Sequence, residues 1–153
     1  MKSLESILAS HPFFDNLEAE YMTLITGCAS NVRFDRGEFV YRRGDEANSF
    51  YILREGKVAL EMCPPAKKPI TVQTVTDGDI LGWAWIVPPY QCLFDAQAVE
   101  MTRAIVIDGK CLRNKCLEDH TLGYELLSRL LPIIGKSMEA TQLQLLDIYG
   151  MNG

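Results

Sequence analysis

Between Arg36 and Leu60 the chain switches between apolar and polar positions in short bursts, RGEFVYRRGDEANSFYILREGKVAL. Phe39 and Tyr41 alternate with Glu38 and Arg42, and Tyr51 and Leu53 alternate with Ile52 and Arg54. A period of two predicts strands that bury one face. Gly37, Gly44, Gly56, Gly78 and Gly82 punctuate the pattern, most of them beside charged residues. Tight turns between strands favour glycine, which reaches positive φ at no steric cost. Short strands at near-regular spacing predict a mainly β fold with flanking helices, a small jelly-roll barrel. One domain over 1–153 is expected, with N-terminal helices in 1–30, the barrel in 31–108 and C-terminal helices in 109–150.

The helical segments follow a different period. Leu4, Ile7 and Leu8 share one face of a short amphipathic segment that His11-Pro12 ends. Asn16 is placed as the N-cap of a helix running to about Cys28, with Glu18 and Glu20 near its positive end. Within the strand region, Trp83–Val87 reads as one helical turn between Gly82 and Pro88-Pro89. Strands resume over Leu93–Val99 and Arg103–Ile107, and Lys110–Cys116 reads as a short helix.

From Thr121 to Gly150 the apolar residues recur at helical spacing, with Pro132 expected to kink the helix. Their stripe is wider than one barrel face can cover. Leu127, Leu130, Ile134, Met138 and Leu145 are therefore assigned to a seam with a twin helix, making a homodimer.

Composition narrows the function. The hydrophobic fraction is 48%, the charged fraction 23% and the net charge −5, which argues against a general nucleic-acid surface. No window approaches the roughly 18 apolar residues of a membrane span, and the N-terminus does not read as a signal peptide. Five cysteines without a framework spacing fit a reduced, cytoplasmic setting. His11 and His120 are the only histidines and lie outside the strands, against a cupin-type metal enzyme. No nucleophile elbow or Walker sequence is present. No cofactor and no enzymatic activity are expected.

The His11-Pro12-Phe13-Phe14 segment, the Arg36-Gly37-Glu38 and Arg43-Gly44-Asp45 turns, Tyr51-Ile52-Leu53, Glu55-Gly56-Lys57-Val58 and Ala104–Asp108 are distinctive wording. Together with the long last helix, they resemble the cyclic nucleotide-binding domain family, the sensor half of the catabolite-activator and fumarate-nitrate-regulator superfamily. The resemblance implies a ligand-sensing regulatory domain with a phosphate cassette over 82–98. Relatives open that cassette with a glycine and a glutamate and close it with an arginine on the cyclic phosphate. They normally continue into a helix-turn-helix, and this sequence shows no recognition helix, so DNA binding is not expected of it.

In this sequence Gly82 is followed by Trp83, and alignment on Ala96 puts Phe94 at the arginine position with Asp95 beside it. A carboxylate about 4 Å from a phosphate repels it by roughly 1 kcal/mol in water and about 4 at intermediate dielectric. The missing arginine removes about 1.5–3 kcal/mol more. Cyclic nucleotide affinity should fall by about two to five orders of magnitude. Gln97 is the polar candidate to compensate if a bulge turns it inward.

The expected ligand-pocket residues are Gly82, Trp83, Trp85, Tyr90, Phe94, Asp95, Ala96 and Gln97. The aromatic ones either fill the cavity or line a site for an apolar or aromatic metabolite. Three readings stay open: a sensor of a non-standard small molecule, a cyclic AMP or cyclic GMP receptor with a rewired cassette, and a ligand-free dimerisation module.

Overall fold

A computed structural model describes residues 3–151; Met1, Lys2, Asn152 and Gly153 of the expected domain lie outside it. Helix α1 (Leu4–Ala9) is capped by Ser3, whose Oγ accepts from the Ser6 N–H at 3.1 Å. A 3-10 turn, Pro12–Phe14, and helix α2 (Ala19–Gly27) follow. Asn16 does not cap α2. It sits in the left-handed region at φ 63°, and Glu18 precedes the helix without a side-chain cap bond. Asparagine tolerates that conformation, so the turn takes the residue the helix was expected to use.

Eight strands come next: β1 (Ala29–Phe34), β2 (Phe39–Tyr41), β3 (Ser49–Glu55), β4 (Lys57–Met62), β5 (Ile70–Thr76), β6 (Ile80–Leu81), β7 (Asp95–Ala98) and β8 (Thr102–Asp108). They form two four-stranded antiparallel sheets, β1-β8-β3-β6 and β2-β7-β4-β5, rather than one closed barrel. Leu53 and Leu81 of the first sheet pack with Val58, Leu60, Val75 and Ala96 of the second.

The other face of the first sheet is covered too. Phe50, Ile52, Ile105 and Ile107 pack with Leu8, Phe13, Phe14, Met22 and Ile25 of the N-terminal segment, and with Leu122, Leu126 and Leu130. Strand β3 is thus buried on both sides, not on one as its partial alternation suggested. The run Phe50-Tyr51-Ile52-Leu53 is what a sheet between two layers requires.

Gly56 shows why the β3–β4 turn needs glycine. Its φ is +118°, and a Cβ there would stand 2.4 Å from Thr102 Oγ1 and 2.7 Å from the Thr102 Cα.

Helix α3 (Gly109–Glu118) is capped by Asp108, whose Oδ1 accepts from the Cys111 N–H at 3.0 Å. Helix α4 (His120–Met151) runs for 32 residues through Pro132. Asp119 Oδ1 accepts from the Thr121 and Leu122 N–H groups at its start. Arg129 ties α4 to the N-terminal segment, donating to the Phe13 and Asp15 carbonyls at 2.8 Å each.

The expected seam divides between two faces. Leu130 is fully buried and Ile134 packs against the same core. Leu127, Met138 and Leu145 are 43%, 61% and 53% exposed. Leu130 and Ile134 are corrected to barrel-facing positions, because the helix turns about 100° per residue and docks through Leu122, Leu126 and Leu130.

Candidate functional site

The cassette begins where β6 ends. Gly82 takes φ 89° and ψ 68°, left-handed values, and a Cβ there would stand 3.4 Å from the Ser49 carbonyl and 3.7 Å from the Tyr41 ring. The chain then makes a 3-10 turn, Trp83–Ile86. Its two tryptophans diverge. Trp85 is completely buried and stacks on Phe50 at 5.0 Å with 13° between the rings. Arg113 of α3 donates to the Trp85 carbonyl at 2.6 Å and lies 4.0 Å over the Tyr90 ring, tying the end of the turn to the segment that follows it.

Trp83 instead meets α4. Its Nε1–H donates to Ser137 Oγ at 3.4 Å, and the Ser137 hydroxyl donates to Gln73 Oε1 of β5 at 3.0 Å. Three elements meet through this one buried hydroxyl.

Beneath that junction lies a cavity of ≈ 40 Å³. Gly82, Trp83, Ala84 and Phe94 of the cassette region line it, with Tyr41, Ala47 and Ser49 on one side and Leu60, Gln73 and Val75 on another. Ile133 and Ser137 of α4 close it. This volume suits a water molecule or two, not a ligand of several hundred Å³. The wall holds no aspartate, glutamate, lysine, arginine or histidine.

Its two titratable types are held neutral. Burial, with Asp45 adding, pushes the Cys92 thiol up to about 11. Burial, with Cys92 and Tyr51 adding, pushes the Tyr41 phenol far above its ordinary value.

Of the eight expected pocket residues, Gly82, Trp83 and Phe94 line this cavity. Trp85 belongs to the core between the first sheet and the helices, and Tyr90 stands under Arg113. Ala96 is buried between the sheets. Asp95 does not face the cavity: Oδ1 accepts from the Arg43 N–H at 2.8 Å and from Arg42 Nε at 3.4 Å. The repulsion expected from it is therefore absent at the cavity wall.

Gln97 also points away, its Nε2 donating to the Gly37 carbonyl at 3.0 Å. The register irregularity falls on β2, where Phe39 pairs with Gln97 and Tyr41 with Ala96. Strand β7 keeps its own alternation, so Gln97 is not turned inward.

Sequence reasoning missed Tyr41, Gln73, Cys92 and Ser137 as cavity residues. Tyr41 carried a signal, since it alternates onto the buried face of a strand. Gln73 and Ser137 carried none, because a polar residue at a closure point between a strand and a distant helix has no local mark.

Among the described residues, no helix is long and apolar enough to cross a membrane, and no group of three His, Cys, Asp or Glu residues stands ready for a metal. The cyclic nucleotide-binding domain family matches residues 31–119, more than half of the chain. The chain is 24% identical over 145 residues to a CRP-like cAMP-activated global transcriptional regulator of Mycobacterium tuberculosis, spanning 95% of this chain and 63% of that one. It is 32% identical over 109 residues to a Rhodopseudomonas palustris protein described as a "Putative potassium channel protein", of which it spans 26%.

Among solved structures, a "Putative Cyclic nucleotide-binding protein" from Geobacter metallireducens matches with a TM-score of 0.81 at 23% identity, covering 90% of this chain and 99% of that one. The two-sheet architecture, the glycine-opened cassette and the long helix behind it, together with this match over residues 31–119, place the chain in the cyclic nucleotide-binding domain family.

Proposed function

We propose that this domain is a non-enzymatic, cytoplasmic ligand-responsive module whose pocket is not built for a cyclic phosphate. One observation carries the reading: no cation lines the cavity behind Gly82. A cyclic phosphate buried there would lose its hydration without a guanidinium or ammonium to replace it. Trp83 and Phe94 instead bring ring surface to that wall, the surface that suits an apolar or aromatic metabolite.

The output is carried by α4, and the domain pairs through it. Tyr124, Leu127, Leu131, Met138, Leu145 and Tyr149 are exposed along that helix. Their spacing of three, four, seven, seven and four residues follows the seven-residue repeat of a two-helix seam.

Thermal-shift titration with cyclic AMP and cyclic GMP tests the pocket. Ligands that bind only the folded state raise Tm by mass action. No rise at sub-millimolar nucleotide is expected, and a rise of several degrees overturns the reading in favour of a rewired cyclic-nucleotide receptor.

A second reading is supported by the ≈ 40 Å³ of free space. With Trp83 and Ser137 closing the cavity, the same module works as a ligand-free dimerisation unit. Light scattering separates the parts: a dimer that responds to no small molecule favours this second reading, and a monomer at micromolar concentration removes the pairing from both.

A further inference from the structure

Two of the five cysteines, far apart in sequence, meet at one end of the first sheet. Cys28 ends α2 as its C-cap and leads straight into β1, while Cys111 lies in the first turn of α3, just after β8. Strands β1 and β8 pair from Ala29 opposite Ile107. The Asp108 N–H extends that ladder by one step, donating to the Cys28 carbonyl at 2.9 Å. Asp108 then turns the chain into α3, its Oδ1 accepting from the Cys111 N–H at 3.0 Å. One residue is thus bonded to the backbone of both cysteines, and the two thiols are hydrogen-bonded to each other. Both cysteines are free and part-exposed, within reach of a small oxidant.

We propose that Cys28 and Cys111 form a reversible oxidation site, closed to an intramolecular disulfide by a peroxide and reopened by a thiol reductant. Disulfides that come and go in this way are the kind a reducing compartment permits. Burial, with the Cys111 contact adding, pushes the Cys28 thiol up to about 11, so reaction begins at the other sulfur. The Cys111 thiolate attacks one peroxide oxygen, forming an S–O bond and breaking the O–O bond. The hydroxide released takes the proton Cys111 gave up and leaves as water. The Cys28 sulfur then attacks the Cys111 sulfur, forming the S–S bond and displacing a second hydroxide, which takes the Cys28 proton. The two sulfurs together lose two electrons, and the peroxide gains them.

The bond shortens a contact that already exists and has two consequences. All eight strands lie between its ends, so it closes a long loop in the unfolded chain. It also fixes the start of α3, where Arg113 holds the Trp85 carbonyl and covers the Tyr90 ring. Oxidation therefore stiffens the cassette turn from behind, whatever the cavity binds.

The test treats the whole chain with a small molar excess of hydrogen peroxide, blocks the remaining thiols with iodoacetamide and digests it with trypsin without reduction. Cleavage after lysine and arginine leaves each of the five cysteines in a separate peptide. A linked pair, 3–33 with 111–113, is expected as the main disulfide product, and dithiothreitol should remove it. The oxidised chain should melt about 4 °C or more above the reduced one, with slower amide exchange over 109–118 and 83–90.

Cys28→Ser and Cys111→Ser should each abolish the link and the rise in Tm, and Cys63→Ser should abolish neither. Oxidation that only joins two copies of the chain through Cys63, or that carries Cys111 to sulfinic acid without a link, overturns the pairing. A link that leaves exchange over 83–90 unchanged overturns its connection to the cassette. None of these outcomes bears on the reading of the pocket, which the nucleotide titration tests separately.

Discussion

Leu130 and Leu131 are neighbours in sequence about 100° apart around α4, one buried and one exposed, and truncating each to alanine measures the docking of that helix directly. Leu130 has no exposed surface and packs in the cluster that joins the first sheet, the N-terminal segment and α4. Removing three buried carbons loses their transfer free energy and leaves a cavity that tight neighbours fill only in part, about 3 kcal/mol in total. Leu131 is 61% exposed, so Leu131→Ala should cost less than about 0.5 kcal/mol in the monomer. Folded domains hold about 5–15 kcal/mol in all, so the first loss is large and measurable.

With roughly 2–4 °C per kcal/mol for a chain of this size, Leu130→Ala should lower Tm by about 6–12 °C and Leu131→Ala by at most about 2 °C. Thermal denaturation followed by circular dichroism at two protein concentrations is the assay. If α4 pairs with a twin, the Leu131→Ala deficit should grow with concentration, because assembly adds stability by mass action, while the Leu130→Ala deficit should not. Equal losses at low concentration, or a larger loss for Leu131→Ala, would refute this rotation of the helix.

Three further outcomes follow from individual contacts. Gly56→Ala combines a forbidden φ with overlap against Thr102 Oγ1 and Cα; it should cost at least about 3 kcal/mol and appear as loss of soluble protein or a collapsed Tm. Ser137→Ala strips Trp83 Nε1 and Gln73 Oε1 of their shared partner; it should cost about 1–2 kcal/mol and change Trp fluorescence, and an unchanged spectrum and Tm would mean the junction is solvated. The Tyr21 hydroxyl, followed by the Leu122 and Thr121 N–H groups, holds Asp119 below its ordinary 3.8. That contribution is therefore present above about pH 4 and is lost as pH falls through the folded value. The Tm gap between wild type and Tyr21→Phe should be widest near neutrality and shrink in acid, and a gap constant from pH 7 to pH 2 would contradict the coupling.

The turns were the most legible part of the fold, for a steric reason. Gly37, Gly44, Gly56, Gly78 and Gly82 all take positive φ, where side chains are disfavoured, so the sequence had to mark those places. Burial on both faces of β3 was less legible, because a run such as Phe50–Leu53 satisfies one-sided and two-sided burial alike. The rotation of α4 was ambiguous from residue types alone: adjacent leucines at 130 and 131 fit either stripe.

At the site, alternation already implied that Phe94 and Asp95 point to opposite faces. What decided their directions was pairing with β2 and β4, which leaves the Asp95 carboxylate beside the Arg42-Arg43 turn. The closure of the cavity by Ser137 depends on two segments 64 residues apart, and pattern within either segment cannot report it.

Helix α4 turns these separate contacts into one mechanical problem. Its inward side reaches the cassette through Ile133 and Ser137, and its outward side carries Leu131 and Met138. Residues 137 and 138 differ by one position, so the contact with Trp83 and the exposed stripe share one turn of helix. A ligand that entered behind Gly82 would have to displace part of the cavity wall, which Trp83 and Ser137 share, since the space holds only ≈ 40 Å³. Arg113 resists movement at the far end of the cassette turn, and Arg129 anchors α4 one to two turns before Pro132 and Ser137. Pro132 lacks the N–H that would bond to the Ser128 carbonyl one turn back, so the turn around the Arg129 anchor is short of one backbone bond. A displacement at Trp83 that reached Ser137 would act on α4 beyond the Arg129 anchor, the segment that carries Met138, Leu145 and Tyr149.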